Sequence, residues 1–387
     1  MLKDFLMLFL RSWLPAPDQP ARQLWRRWLV LVVFWPLLLA LLLVNGTGLV
    51  LDRVLFAGYR RVAIRAPLFV IGVPRSGTTF LHRLLALDAN RFTTTALWEL
   101  IFAPSITQRF FWLGLARIDA LLGRPLARLL QVFERRILGG LDEIHSTGLA
   151  APEEDYLALA PVLGCFLLVL PLPDERLWRL AYGDRALTDR EKRRILRFYR
   201  AFVQRHLWFH GPDKTFLSKN PSFTPWLEML AAEFPDARFV ACFRNPTRAV
   251  PSQINSILVG ARIFRGRGID PDYWRDRLAD MLCFYYRHLF EVVPQLPRSR
   301  SASMLLEELV PEPDAGVRAL YERFGWTPDQ ACQRALRAEA ERARGYQSGH
   351  QYSLTGLALS PERLVRDFGF VYRELGYPQP MAEESAS

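Results

Sequence analysis

Lysine is scarce in this chain of 387 residues, which has 46 arginines but only four lysines: Lys3, Lys192, Lys214 and Lys219. Arginine is therefore the usual cation here, and Lys219, where a strand-like run meets a loop, stands out as a compact ammonium group. Cysteine is also rare, and the four present lie far apart, without C-x-x-C spacing: Cys165, Cys242, Cys283 and Cys332. This spacing indicates neither a zinc site nor a disulfide framework, and we predict no metal.

Acidic residues are fewer than basic ones, and the formal net charge is +11. The basic residues are scattered and no recognised nucleic-acid motif is present, so we predict no nucleic-acid partner. An anionic small molecule or an anionic membrane surface suits this charge. Neither internal repeats nor low-complexity linkers interrupt residues 66–380, which are long enough to bury one large core.

The N-terminal region contains a long apolar run. Residues 28–51 carry no charge. Arg26 and Arg27 precede this run, and Asp52 and Arg53 follow it. This length is enough to span the hydrocarbon core of a bilayer. An apolar amphipathic stretch at residues 5–14 precedes it, which argues against a cleaved signal peptide. We predict that residues 1–65 form a membrane-associated segment with a single anchor, and a monotopic anchor or a hairpin packed on the catalytic domain is the alternative.

Residues 68–82 read LFVIGVPRSGTTFLH: a buried-strand candidate, a turn, and then a helix. This is the layout of a P-loop, and Gly72 and Gly77 have the spacing of G-x-x-x-x-G-K-[ST]. The lysine that reaches the transferred phosphate in nucleoside triphosphate enzymes is missing, because Thr78 follows Gly77. Arg75 supplies a positive charge inside the loop instead. An anion is still expected at this helix N-terminus, whereas ATP or GTP chemistry is disfavoured.

This loop resembles the 5′-phosphosulfate loop of sulfotransferases, enzymes that use 3′-phosphoadenosine 5′-phosphosulfate (PAPS). The resemblance implies that the phosphosulfate is held by five residues: Arg75, Ser76, Gly77, Thr78 and Thr79. A second strand candidate, residues 237–243, ends at Arg244, and Ser252 follows eight residues later on a helical pattern. The pair resembles the arginine and serine that hold the 3′-phosphate of the donor in this family, which suits the planar fork of a guanidinium.

Three further segments resemble the family. Residues 306–309 (LEEL) are similar to its Y-E-D-L segment, with Leu306 in place of tyrosine. Residues 344–346 and 350–354 resemble the late loop that closes over the nucleotide, which implies that Arg344 and Tyr352 bind the donor. Residues 216–221 resemble the Lys-Ser/Asn-Pro segment and imply that Lys219 adds to the phosphosulfate site; an exposed loop lysine is the alternative.

Three residues are candidates for the base that removes a proton from the acceptor hydroxyl. Glu99 comes first, because it resembles the acid that serves as base in several branches of the family. His145 and Glu154 come second, since a histidine followed by P-E-E also resembles many members. Glu99 could instead be a helix-cap acid, and the acidic cluster at 153–155 could favour the N-terminus of a following helix by its charge.

The predicted fold is α/β: a P-loop-type central parallel sheet flanked by helices, with a helix-rich insert at 91–214 on the acceptor side. Strands are predicted at 68–72, 215–218, 237–243 and 302–306, and helices at 77–87, 223–233, 246–258 and 271–292. The predicted function is PAPS-dependent sulfuryl transfer to a small-molecule or lipid acceptor, with the catalytic domain on the cytoplasmic side. A carbohydrate acceptor, an atypical P-loop kinase and a non-catalytic nucleotide-binding membrane protein are the alternatives. Oligomeric state is left open.

Overall fold

The computed structural model describes residues 2–19, 24–129, 132, 149–172, 174–266, 268–344 and 357–380, and within them five parallel strands form one sheet. The strands are β1 (Leu68–Gly72), β2 (Phe92–Thr93), β3 (Thr215–Lys219), β4 (Arg238–Phe243) and β5 (Ser301–Leu305), in the order β2-β3-β1-β4-β5. The four predicted strands are confirmed to within one residue at each end. The fifth, β2, lies inside the predicted insert; two residues are too few to give an alternating pattern.

The strand order places the site. β1 lies between β3 and β4, and Val70 is the register partner of both Lys219 and Val240. The chain therefore leaves β1 toward one edge of the sheet and later crosses to the other edge. Ligands of open α/β sheets bind in the crevice that such a reversal opens at the carboxyl ends of the strands. The loops after β1, β3 and β4 meet there.

Helices cover both faces of the sheet. Their bounds are Leu2–Ser12, Leu24–Leu55, Thr78–Ala86, Leu97–Phe102, Ile106–Leu121, Glu175–Trp178, Gly183–Ala186, Asp189–His210, Leu227–Glu233, Pro246–Arg265, Pro271–Val292, Leu306–Leu309, Pro313–Arg323, Gln330–Arg344 and Pro361–Leu375. The four predicted helices are present, although the one expected at 223–233 begins as a 3₁₀ turn, Pro221–Trp226. Pro225 inside that turn has no N–H for an α-helical bond, which explains the difference.

Two apolar clusters fill the space between the sheet and the helices. The larger one packs Phe69 and Phe239 of the central strands against Tyr199 and the long helix Pro271–Val292. The smaller one packs Val70 and its neighbours against the helices on the other face. β1 is buried on both sides along its whole length, as expected for the middle of a parallel sheet.

The apolar N-terminal helix, Leu24–Leu55, is long enough and apolar enough to cross a membrane, and it alone is so among the helices of the described ranges. It lies against the helix Ile106–Leu121 and against Pro246–Arg265. The run at 157–172 forms two short 3₁₀ helices in the larger core, Asp155–Val162 and Phe166–Val169, and is mostly buried.

Candidate functional site

The P-loop, residues 72–77, connects β1 to the helix Thr78–Ala86 by a turn that depends on its glycines. Gly77 has φ +83°, and a Cβ there would lie 2.3 Å from Leu306 Cδ1. Gly72 is more restricted, because a Cβ would lie 2.3 Å from the backbone oxygen of Cys242 on β4. The Thr224 hydroxyl accepts a hydrogen bond from the Gly72 N–H at 2.9 Å and donates one to the Gly72 carbonyl at 2.7 Å. These contacts fix the start of the loop against β4 and against the 3₁₀ turn Pro221–Trp226.

The helix after this turn begins with backbone N–H groups that have no intrahelical partner. Its N-cap, Gly77, has no side chain that could accept from them. The Ser76 hydroxyl is buried and has no hydrogen-bond partner within the described part of the chain. Unpaired buried donors are costly, and an anion at this point would satisfy them.

Arg75, Ser252 and Arg244 form one connected group. Arg75 Nε donates to Ser252 Oγ at 3.0 Å, and Arg244 Nη1 donates to the backbone oxygen of Arg75 at 3.0 Å. Arg75 itself has φ +70°, a conformation rare for a residue with a side chain. The predicted loop and the predicted arginine–serine pair are therefore in direct contact, although Arg75 and Arg244 are 169 residues apart in the chain.

The electrostatics of this group favour an anion. Burial lowers the pKa of Arg244; the Glu307 carboxylate opposes this shift and the Arg75 guanidinium adds to it. The Tyr286 hydroxyl donates a hydrogen bond to the Arg244 carbonyl and so fixes the backbone at the end of β4. Burial and the nearby Arg75 charge disfavour the charged form of Arg244, and a phosphate beside its guanidinium would stabilise that form.

Lys219, at the end of β3, is fully buried rather than an exposed loop lysine. Its Nζ lies 3.0 Å from Glu154 Oε1 and 3.3 Å from Glu153 Oε1. The acidic pair reaches it because Pro152 bridges to Ala96 in antiparallel fashion, just beyond β2. Burial alone would lower the pKa of Lys219, but the two carboxylates raise it overall. Burial raises the pKa of Glu154 in spite of the lysine. Among the candidate bases, Glu154 is thus a carboxyl whose pKa is raised.

His82 is a residue that the sequence did not single out. It lies on the P-loop helix, is fully buried, and its Nε2 is 2.7 Å from Thr94 Oγ1. Burial, helped by the charge of Lys219, lowers its pKa well below the usual histidine value, so it is neutral at pH 7. Its position on the inner face of an amphipathic helix is ordinary for a core residue. No signal in the sequence distinguishes such a core histidine from one that belongs to a functional site.

Glu99 is held in a second cluster, together with two histidines of the helix Asp189–His210. Glu99 Oε1 lies 2.6 Å from His210 Nε2 and 3.5 Å from the Nε of fully buried Arg109. Its other oxygen accepts from the Ala96 N–H at 2.9 Å, as in a capping box. Burial would raise the pKa of Glu99, but the hydrogen bond from His210 and the charge of Arg109 outweigh burial and hold it at about 2.

The same cluster has ligand atoms that could hold a metal ion, since those of Glu99, His206 and His210 lie within 4.8 Å of one another. The Arg109 guanidinium already places a positive charge beside Glu99. The absence of a metal stays a prediction. Two other predicted residues, His145 and Tyr352, lie outside the described residues. Arg344 is the last residue of the helix Gln330–Arg344, and its side chain lies outside the description.

Comparison with known proteins identifies similar chains. The family model described as "Sulfotransferase family" matches residues 67–330. The omega-hydroxy-beta-dihydromenaquinone-9 sulfotransferases Stf3 of Mycobacterium bovis and Mycobacterium tuberculosis are each 26% identical over 268 residues, which is 67% of this chain. The match spans 62% of the length of these relatives.

Two solved structures share the fold. The sulfotransferase STF9 from Mycobacterium avium has a TM-score of 0.69 at 17% identity, over 95% of this chain and 89% of that one. The sulfotransferase STF1 from Mycobacterium tuberculosis has a TM-score of 0.62 at 19% identity, over 95% and 92%. Coverage of 95% includes most of the N-terminal region as well as the sheet.

Proposed function

The chain belongs to the sulfotransferase family, and we propose that it transfers a sulfuryl group from PAPS to a hydroxyl of an apolar, lipid-like acceptor. The observation that carries this proposal is the connected group Arg75, Ser252 and Arg244, which joins the P-loop to the end of β4. A donor with phosphates at both its 5′ and 3′ positions needs two neighbouring anion sites, and this crevice offers them.

The P-loop residues would hold the 5′-phosphosulfate of the donor. The helix N-terminus, the buried Ser76 hydroxyl and the Arg75 charge all favour an anion there. Thr78 and Thr79 in the first helical turn add hydroxyl groups. Arg244 and Ser252 would hold the 3′-phosphate, the group that separates PAPS from ordinary adenosine nucleotides. Arg344 and Tyr352 remain candidates for contacts with the nucleotide.

Glu154 is the proposed base. Proton abstraction needs a carboxylate whose proton affinity is not too low, and burial raises the pKa of Glu154. Lys219, 3.0 Å from it, is the cation that would stabilise negative charge developing on the sulfuryl and bridging oxygens. Lys219 is the last residue of β3, the strand next to β1, and Glu154 lies beside it. His145 stays an alternative base outside the described residues.

Glu99 is less suited to this task than the sequence suggested. A carboxylate with a pKa of about 2 accepts a proton weakly, and His210 and Arg109 already occupy one of its oxygens. We propose that Glu99 orients the segment after β2 by its bond to the Ala96 N–H. This segment carries the bridge to Pro152 and so positions Glu153 and Glu154 beside Lys219.

A lipid-like acceptor is supported by two observations. The relatives Stf3 are named for an acceptor of that class, a hydroxylated dihydromenaquinone. The apolar N-terminal helix of this chain leaves many large apolar side chains exposed. We propose residues 66–380 as the catalytic domain, facing the cytoplasm, where the donor is made.

Incubation of the purified protein with PAPS labelled in the sulfate group and a membrane lipid extract tests the proposal. We expect label in the organic phase, and about 10- to 100-fold less with Arg244→Ala when PAPS is far below saturation. A parallel incubation contains glycans in place of the lipid extract. Label found only in the glycans would refute the lipid acceptor and favour a carbohydrate acceptor. The second test uses PAP, the form of PAPS without its sulfuryl group, which keeps the 3′-phosphate. If PAP raised the thermal stability of the protein no more than ADP does, the two-site donor arrangement would be refuted.

A further inference from the structure

The apolar N-terminal helix is fastened to the protein by buried polar side chains near its C-terminal end. The Asp52 carboxylate is fully buried and accepts from the N–H groups of Ile106 and Thr107, each at 2.9 Å, and from Arg205 Nε at 2.9 Å. Two turns earlier, Asn45 donates to the Ile101 carbonyl at 3.0 Å and accepts from Gln108 Nε2 at 2.7 Å. These groups would be left unpaired if the helix moved away.

Its N-terminal end is fastened too. Arg27 Nη1 donates to the Leu14 carbonyl at 3.0 Å, and Trp35 Nε1 donates to Ser12 Oγ at 3.0 Å. The segment between the first two helices is in turn held by Asp18, which is paired with Arg265. A membrane span requires about 20 consecutive residues that face lipid. The polar contacts spaced along this helix from Arg27 to Asp52 leave no stretch of that length without a contact to the rest of the protein.

The opposite face of this helix is apolar and exposed. Thirteen large apolar side chains are at least 41% exposed: Trp25, Trp28, Leu29, Val32, Val33, Leu37, Leu39, Leu43, Val44, Val50, Leu51, Val54 and Leu55. Soluble monomers rarely expose a contiguous apolar patch of more than a few hundred Å². The fastened stripe and the exposed face together describe a helix that lies flat on the protein.

The exposed apolar surface continues onto the two neighbouring helices. The rings of Phe56 and Phe110 are 5.5 Å apart, and the helix Ile106–Leu121 leaves Phe111 62% and Leu121 86% exposed. On the other side, Trp28 Nε1 donates to the Trp13 carbonyl next to the helix Leu2–Ser12. We call the exposed apolar side chains of Leu2–Ser12, Leu24–Leu55 and Ile106–Leu121 the apolar platform.

The charge around the platform is positive. Residues 2–65 contain three acidic residues, of which Asp18 and Asp52 are fully buried and Asp4 is 3.4 Å from Arg194. Among the described residues of this segment, outside 20–23, the exposed basic ones are Lys3, Arg11, Arg26, Arg53, Arg60, Arg61 and Arg65. A second copy of this face would meet like charge, whereas an anionic lipid surface would meet opposite charge. Exposed Trp25 and Trp28 suit the headgroup level of a bilayer.

We propose that the apolar platform inserts into one leaflet of an anionic phospholipid bilayer, with the helix Leu24–Leu55 in the plane of the membrane and not across it. The protein is then monotopic, and its N-terminus and catalytic domain lie on the same side. Insertion is driven by burial of the exposed apolar side chains and by attraction of the basic rim to acidic headgroups. This inference does not depend on the sulfuryl-transfer proposal.

Flotation of the purified full chain with phosphatidylcholine vesicles, with and without phosphatidylglycerol, tests the surface. The test variant carries three glutamates on the platform and the control variant three at exposed sites elsewhere: Leu29→Glu, Leu37→Glu, Leu43→Glu, and Ala232→Glu, Ser299→Glu, Ala338→Glu. Both change the net charge equally. We expect the test variant to bind anionic vesicles at least about tenfold more weakly, and the control to bind like wild type.

Equal vesicle binding by the two variants would overturn the proposal. The position of the glutamates would then not matter, and any loss of binding would be explained by the change in net charge alone. So would a test variant that binds vesicles normally but changes from dimer to monomer in sedimentation, since a second copy would then cover the platform. Circular dichroism spectra and thermal unfolding midpoints like those of the wild type show that both variants are folded.

The orientation has its own test in sealed vesicles made from cells that express the protein. In a Cys283→Ser background the other three cysteines are buried. Cysteines introduced at exposed Lys3 and Ser299 are then treated with a membrane-impermeant maleimide. We expect both sites to be labelled from the same side. Labelling of the two sites from opposite sides would show a helix that spans the bilayer and would refute the in-plane arrangement.

Discussion

Replacement of Arg244 by alanine should weaken binding of PAP but not of ADP. A charge-assisted hydrogen bond to a phosphate contributes about 1.5–3 kcal/mol, so the affinity for PAP should fall about 10- to 100-fold. At a PAP concentration about 1,000 times the wild-type dissociation constant, the ligand stabilises the fold by about 4 kcal/mol. A 100-fold loss of affinity reduces this to about 1.4 kcal/mol. Thermal unfolding with and without each nucleotide measures the difference.

Arg248 provides the matched control for this prediction. It is exposed on the same helix, Pro246–Arg265, one turn after the strand end, so Arg248→Ala removes the same charge from the same region. We expect it to leave the stabilisation by PAP nearly unchanged. If Arg244→Ala and Arg248→Ala had equal effects, or if Arg244→Ala weakened ADP as much as PAP, the reasoning about a 3′-phosphate site would fail.

Three further predictions concern the carboxylates. Glu154→Gln should lower single-turnover sulfate transfer about 10²- to 10⁴-fold with PAP stabilisation intact; near-normal turnover of this variant together with its loss in Glu99→Gln would return the role of base to Glu99. Glu99, with a pKa of about 2 against an ordinary 4.5, contributes about 3 kcal/mol that is present above pH 4.5 and is lost as pH falls toward 2; acid unfolding of Glu99→Gln, followed by circular dichroism, should therefore lack this part of the pH dependence. Asp52→Asn should cost about 3–5 kcal/mol in urea denaturation, because it leaves Arg205 buried without its ion pair; a loss below about 1 kcal/mol would contradict that estimate.

Strands and motifs in the central sheet were predictable because their signals are local. β1 and β4 are short continuous apolar runs that end in polar loops, and burial on both faces demands such runs. The P-loop was predictable for a similar reason, since a tight strand-to-helix turn requires glycine where φ is positive. β2 escaped prediction because its two residues are placed by pairing with β3 and not by their own pattern.

The sequence named the candidate bases but could not separate their roles. Glu99 and Glu154 are both acidic residues beyond the first helix, and the sequence ranks them only by resemblance. Burial would raise the pKa of both, but His210, far away in the chain, and Arg109 outweigh it at Glu99. At Glu154 burial prevails over the opposing charge of Lys219. The pKa of Glu99 is thus lowered and that of Glu154 raised, which is why we propose Glu154 as the base.

The apolar composition of residues 28–51 determined that this helix would seek a nonpolar environment, because composition alone sets the hydrophobic transfer energy. Whether the helix crosses a membrane or lies flat depends on what its polar residues contact. Asn45 and Asp52 find buried partners on the helix Ile106–Leu121, more than 50 residues away in the chain. Only the folded arrangement brings those partners together, and an unpaired buried carboxylate or amide costs too much for the helix to leave them.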